Sequence, residues 1–200
     1  MRKKSHISLA RYMVDTLENE ELKKHKLSFY LGSILPDIKP SFLYKRHEIN
    51  GTFPCIQKHI ERLSEGEKAL QKKGKKYYMD LGQISHYLAD YFTFPHNTIY
   101  PGGLKEHCSY EEKLKNDLRA YIRSGEAAEQ MKHQQKKKEI HFPDAQSLCN
   151  YILNAHEEYI GRKHDVEDDI HHIVTVNWKA LEGMMELLAR KKAERYLKHS

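Results

Sequence analysis

The stretch YYMDLGQISHYLADYF, residues 77–92, decides how the rest of the chain is read. Met79, Leu81, Ile84, Leu88, Ala89 and Phe92 recur at helical spacing on two adjoining faces of one helix. No other part of the sequence is as apolar at that period, so this helix is predicted to lie at the centre of the fold.

Working outward, the same periodicity predicts a first helix over about 5–24, carrying Ile7, Leu9, Ala10, Met13, Val14 and Leu17, capped by Ser5 or the preceding turn. A second runs from Pro54 to about 73 (Ile56, Ile60, Leu63, Ala69, Leu70) and is predicted to stop at Gly74. A fourth covers about 104–124, a weaker helical stretch follows it, and two more span about 144–160 and 166–197. Strand signals are short and isolated, as at Ile173–Val176, and no repeat is visible. Residues 27–54 begin apolar but then meet Gly32, Pro36, Pro40, Gly51 and Pro54, which predicts a long irregular connection after about Ser33. Connections of that length in a compact domain are usually functional or disordered. The expected architecture is all-α: a single-domain bundle of about six or seven helices over 1–200, with its chemistry in 1–115 and the helices of 144–197 completing the bundle.

Composition removes several classes. Of 200 residues 39% are hydrophobic and 31% charged, and no apolar run approaches the roughly 20 residues that cross a bilayer. The opening MRKKSHISLARYMVDTLENEE lacks the apolar core of a secretory signal, so the expected location is cytoplasmic. Cys55, Cys108 and Cys149 are odd in number and far apart, which indicates free thiols and neither a disulfide framework nor a zinc ribbon. The net charge of +6 favours anionic partners: phosphates, nucleic acid or lipid headgroups. Histidine is the anomaly, with 14 residues against 10 glycines and 6 prolines, and imidazole is the commonest metal ligand.

Spacing shows where those histidines gather. In HYLAD, His86 and Asp90 stand four apart on the central helix, their Cβ atoms about 5–6 Å from each other on one face. His96 follows just past Pro95, and HCSYE repeats the device with His107 and Glu111 on the next helix. Upstream lie Asp37 in LPDIKP, His47 in KRHEINGTF and His6 on the first helix. Taken singly, each pair fits an ordinary solvated helix face as well as it fits two ligands on one ion. His86, however, sits on the most apolar helix, where a titratable pair needs a partner or a metal to offset desolvation. Imidazole and carboxylate without thiolate suit Zn²⁺, Mn²⁺ or Fe²⁺.

The series His6, Asp37, His47, His86-x3-Asp90-x5-His96, His107-x3-Glu111 resembles the ligand series of the zinc-dependent phospholipase C family, whose wider fold includes the S1/P1 nucleases. Order, residue types and both short spacings agree over roughly the first 115 residues. The resemblance implies an all-α fold and two or three zinc ions. It implies that Asp37, His47, His86 and Asp90 hold the first, that His96, His107 and Glu111 hold the second, and that His6 with a bridging Asp90 holds the third. In that family the amine and carbonyl of a processed N-terminal Trp complete the third site. This chain departs there, starting Met1-Arg2, so either the Met1 amine substitutes or His6 merely supports the ligands.

The expected function is a metal-dependent phosphoric ester hydrolase in which a metal-activated water attacks a phosphodiester, phospholipase C-like. No GxSxG, P-loop or catalytic-cysteine signature competes with that mechanism. Asp37 is the candidate general base, a role that sequence does not separate from ligation. Expected substrates are phospholipid-derived or other phosphodiesters. Phe42, Tyr44, Phe53, Tyr87, Tyr91, Phe92, Phe94, Tyr100 and Tyr110 either stack on such a substrate or pack the core. Lys72–Lys76 and Lys136–Lys138 are read as solvated runs, the His/acid-rich region from His156 to His172 as a solvated helix face or loop, and Trp178 as a core anchor. The alternative is a basic helical module that binds nucleic acid or anionic lipid, with structural metals and no catalysis.

Overall fold

The computed structural model describes residues 1–38, 47–65, 74–137, 141–162 and 164–199. Phe42, Tyr44, Lys72, Lys73 and Lys138, which the sequence reading singled out, lie outside the described residues. The described residues form nine α-helices, one 3-10 turn and no strand. These are α1 (Lys3–Thr16), α2 (Glu20–Lys24), α3 (Lys26–Ile34), α4 (Ile49–Glu65), α5 (Gly74–Tyr91), the 3-10 turn Phe94–His96, α6 (Leu104–Ser124), α7 (Glu126–Lys137), α8 (Ala145–Ile160) and α9 (Val166–His199). No described helix is long and apolar enough to cross a membrane.

The all-α expectation holds, and α5 is the central helix. Leu81, Ile84, Leu88 and Ala89 are fully buried, and α1, α3, α4 and α9 pack around it. Burying each of the larger aliphatic side chains contributes about 1.5–3 kcal/mol, so α5 is where the apolar driving force concentrates. The long α9 runs behind the bundle against α1, α4, α5, α6, α7 and α8, and Trp178 on it is buried as expected. Beneath the site Ser85 donates to Asn177 Oδ1 at 2.8 Å, and Asn177 Nδ2 donates to Ile173 O at 3.0 Å, which fixes α5 on α9 without an orphaned polar group.

Three boundaries differ from the sequence reading, and one stretch that it left unassigned is a helix. The helix expected over 5–24 is two, because Glu18 adopts a left-handed φ of 47° and Asn19 caps α2 by accepting from Leu22 N at 2.9 Å. The apolar stretch ahead of the irregular connection, expected to begin after about Ser33, is α3, which the helical spacing of Phe29 and Ser33 buries on α5. Helix α4 begins ahead of Pro54, its sixth residue, so the helix runs through the proline and forgoes the backbone hydrogen bond that a proline nitrogen cannot donate. Gly74, expected as a stop, is instead the first residue of α5.

The contact between α3 and α5 is made by glycine. A Cβ on Gly32 would fall 2.0 Å from Met79 O, and one on Gly82 would fall 2.2 Å from Phe29 O, so the two backbones touch where no other residue fits. Gly125 ends α6 with a φ of 89°, the left-handed close of a helix.

Candidate metal centre

All eight sequence-predicted residues converge at one end of α5. His86 and Asp90 come from its last turns, His6 from α1, Asp37 from the turn after α3, His47 from the residues leading into α4, His96 from the 3-10 turn, and His107 and Glu111 from α6. Local chemistry sets each approach. Thr52 Oγ1 and Tyr91 OH meet at 2.7 Å and tie the start of α4, next to His47, to α5. Asn97 Nδ2 donates to the carbonyls of Tyr91 and Thr93, closing the turn that carries His96. Glu106 accepts from Gly103 N at 3.1 Å and caps the helix that carries His107 and Glu111.

Asp90 lies at the middle and is fully buried. Its Oδ2 is 2.8 Å from His47 Nδ1 and 3.1 Å from His86 Nε2, while its Oδ1 is 2.5 Å from the Met1 amine and 3.4 Å from His6 Nε2. Asp37 Oδ1 adds a fourth atom to the first group, 3.7 Å from His86 Nε2. Glu111 Oε1 gathers the rest, at 3.1 Å from His96 Nε2, 3.2 Å from His107 Nε2 and 3.1 Å from the Met1 amine. Three sets, namely His6, Asp37 and His86; His47, His86 and Asp90; and His96, His107 and Glu111, each bring their ligand atoms within 4.8 Å of one another.

Protons alone do not satisfy this arrangement in its neutral state. His86 Nδ1 lies 2.8 Å from Ser33 O, and a carbonyl only accepts, so that nitrogen carries the proton. A neutral His86 therefore turns its Nε2 lone pair towards an Asp90 oxygen 3.1 Å away that also has only lone pairs, and the donor within reach of both, His47 Nδ1, lies 3.1 Å from Nε2 and 2.8 Å from that oxygen and has one proton for the two. His96 Nε2 cannot accept from the Met1 amine at 2.8 Å and donate to Glu111 at the same time. Both nitrogens of His6 are buried with no hydrogen bond, and its ring stacks on His86 at 3.8 Å between centroids. Two ligands about 2.0–2.1 Å from a tetrahedral zinc lie about 3.3 Å apart, close to the separations around Asp90 Oδ2 and Glu111 Oε1. The donor set fits cations.

The electrostatics leave His6, His96, Asp90 and Glu111 in the states a metal requires, whereas Asp90 and Glu111 hold the proton on the Met1 amine against burial. Burial, reinforced by His86, pushes His6 down to about 3, and burial with the Met1 amine lowers His96, so both rings are neutral at pH 7. Burial alone would raise Asp90, but the Met1 amine and the imidazoles of His96, His86 and His6 hold it well below the carboxylate range. Glu111 is likewise pulled down against burial by hydrogen bonds from His107 and His96. Asp37 is the exception: burial raises it, which makes it the best proton acceptor of the three carboxylates.

A cleft of about 1060 Å³ opens onto this cluster, lined by Met1–Lys4 of the α1 start, Asp37, His47, Glu48, the 95–98 turn, Tyr100, the 102–104 segment and the inward face of α6. Of the aromatic candidates Phe53, Tyr91 and Phe92 are core, and Tyr100 is the one that lines the cleft among the described residues. The three cysteines are separate thiols, Cys55 and Cys108 exposed and Cys149 buried.

One group was misread from sequence. Asp169, expected on a solvated face, is fully buried and accepts from Tyr159 OH at 2.6 Å, Tyr110 OH at 2.8 Å and Phe94 N at 2.8 Å. It thereby ties α9 to the turn carrying His96 and to the residue preceding Glu111. Burial pushes its carboxyl up to about 7 against those three hydrogen bonds. A carboxyl raised in the folded state adds stability below its unfolded value near 4 and loses it as pH rises through about 7. The gap in melting temperature between the wild type and Asp169→Asn should therefore widen from pH 8 to pH 6. A gap that is constant over that range would mean that Asp169 stays ionised.

The family model that matches the chain is described as zinc dependent phospholipase C, and it matches residues 5–166, a span that includes all eight residues of the cluster and ends at the start of α9. No curated protein and no solved structure matches the chain.

Proposed function

Because the chain belongs to the zinc-dependent phospholipase C family, we propose that it is a phosphoric ester hydrolase that cleaves a phospholipid-type phosphodiester at a centre of two or three zinc ions. The observation that carries the reading is Asp90, a buried carboxylate whose two oxygens face different sets of nitrogens. Asp37, His47, His86 and Asp90 Oδ2 would hold one ion, and His96, His107 and Glu111 a second. His6 and Asp90 Oδ1 would hold a third. Zinc so held supplies Lewis-acid polarisation of the phosphoryl oxygens and a water acidified towards neutral pH.

The side chains do the rest. Asp37 lines the cleft and is the carboxylate that burial leaves most basic, which suits it to take the attacking water's proton on its free oxygen. Asp90 and Glu111, held ionised, offset the positive charge of the bound ions. His86, with Nδ1–H fixed on Ser33 O, keeps Nε2 turned towards Asp37 and Asp90 without a search over ring orientations. No side-chain nucleophile is needed.

The deciding experiment combines elemental mass spectrometry on zinc-loaded protein with turnover of phosphatidylcholine, phosphatidylglycerol and a soluble nitrophenyl phosphodiester. Two or three zinc ions per chain and turnover abolished by chelator are expected. In Asp37→Asn a loss of about 10²–10⁴-fold in rate with full zinc content marks a general base. Loss of one zinc marks a ligand instead. Bound zinc with no turnover of any phosphoric ester would leave a structural metal centre and end the hydrolase reading.

A further inference from the structure

Of the eight large apolar side chains exposed among the described residues, one lines the cleft and two adjoin lining residues in the chain. Leu104, 81% exposed, forms part of its wall; Ile99 lies between the lining residues Thr98 and Tyr100; Ile38 follows the lining residue Asp37. Exposed aliphatic groups at the rim of a polar cleft contribute nothing to the fold. A patch of them is a contact surface.

The charges of the same mouth are one-sided. Arg2, Lys3, Lys4 and Lys115 line the cleft, and Glu48 is its one lining carboxylate outside the proposed ligand set among the described residues. Arg2 and Lys115 both pair with Glu112, so their charge is partly answered. Lys3 and Lys4 are exposed on the first turn of α1 and make no ion pair among the described residues. That turn also carries the positive end of the helix dipole, with no acidic residue to offset it.

Aliphatic side chains next to unpaired cations are what an anionic bilayer takes up: apolar groups enter the headgroup boundary while cations meet lipid phosphates. Nucleic acid would use the lysines and leave Leu104, Ile99 and Ile38 in water. We propose that the mouth of the cleft docks on an anionic lipid bilayer, with Leu104, Ile99 and Ile38 entering the headgroup region and Lys3 and Lys4 facing its phosphates. The proposal rests on the phospholipid reading above and extends it: the docked face is the open side of the metal centre, so the substrate need not leave the membrane to reach it.

The test is co-sedimentation of the zinc-loaded full chain with vesicles, at times shorter than any detectable release of diacylglycerol. One set is phosphatidylcholine alone and the other contains phosphatidylglycerol as well. Binding to the anionic set is expected, weakening steeply with salt, with far less binding to the neutral set. Leu104→Asp should weaken it about tenfold, and Lys3→Gln with Lys4→Gln together about 30-fold, near fivefold per cation. Circular dichroism and zinc content identify any variant that has misfolded, and Ile99→Asp then serves as the second apolar probe. Vesicle binding that none of these changes affects would overturn the proposal. So would a lysine-dependent affinity for a DNA oligonucleotide with no effect of Leu104→Asp or Ile99→Asp on vesicles. Since vesicle binding is read without turnover, its failure leaves hydrolysis of the soluble diester intact, whereas failure of the hydrolase reading abolishes that turnover and leaves binding in place.

Discussion

Asp90→Ala is expected to lower phosphodiester hydrolysis by at least about 10³-fold, or about 4 kcal/mol of transition-state stabilisation. It is also expected to remove more than one zinc ion per chain. The reason is the sharing of its two oxygens. Oδ2 faces His47 and His86, while Oδ1 faces His6 and the Met1 amine, so on the proposed assignment a single deletion would take a ligand from two ions at once. It also removes the negative charge that stands closest to the buried amine, whose raised affinity for its proton, against the effect of burial, depends on Asp90 and Glu111. Elemental mass spectrometry beside a rate measurement tests this directly. A variant that kept its full metal content would mean that Asp90 is a buried hydrogen-bond acceptor, and the ligand assignment would be wrong.

Chelation should have the second largest effect, and on stability. An ion that binds only the folded chain stabilises it by about 4 kcal/mol when its concentration is 1,000 times Kd, so two ions supply about 8 kcal/mol. For a domain of this size each kcal/mol moves the melting temperature by about 2–4 °C. Stripping zinc should therefore lower Tm by about 15 °C or more. The site makes the apo state costly in a way that ordinary packing does not, because His6 is left buried with neither ring nitrogen hydrogen-bonded and His96 Nε2 faces two incompatible partners. An unchanged Tm after verified metal removal would show that these rings pack as ordinary core.

Much of this architecture is legible in the chain because helices announce themselves by period. The central position of α5 follows from the apolar spacing of residues 77–92, and His86 with Asp90, like His107 with Glu111, shares a face because four residues make about one turn. Periodicity says nothing, however, of how separate helices meet. That His6 and His47 arrive at Asp90, and His96 at Glu111, was expected only from the resemblance to a known ligand series. Backbone groups were invisible for a further reason: Ser33 O, the partner of His86, is a carbonyl near the end of a helix, and any residue type would supply it. Asp169 was missed because its donors, Tyr110, Tyr159 and the Phe94 amide, come from segments far apart in sequence, while its own neighbours Asp165, Glu167 and Asp168 look like a solvated run. The early start of α4 and the existence of α3 were hidden by proline and glycine, which weaken helical signals even where tertiary contacts override them.

The glycine crossing of α3 and α5 has a kinetic consequence for metal capture. With Gly32 against Met79 O and Gly82 against Phe29 O, α3 cannot slide along α5, and Ser33 O stays over His86 Nδ1. The tautomer of that imidazole is thereby chosen before any ion arrives. Loading of a metal would need neither a ring flip nor a proton exchange at His86. A side chain forced into the crossing at Gly82 would slow zinc uptake from a distance, although the glycine itself touches no ligand.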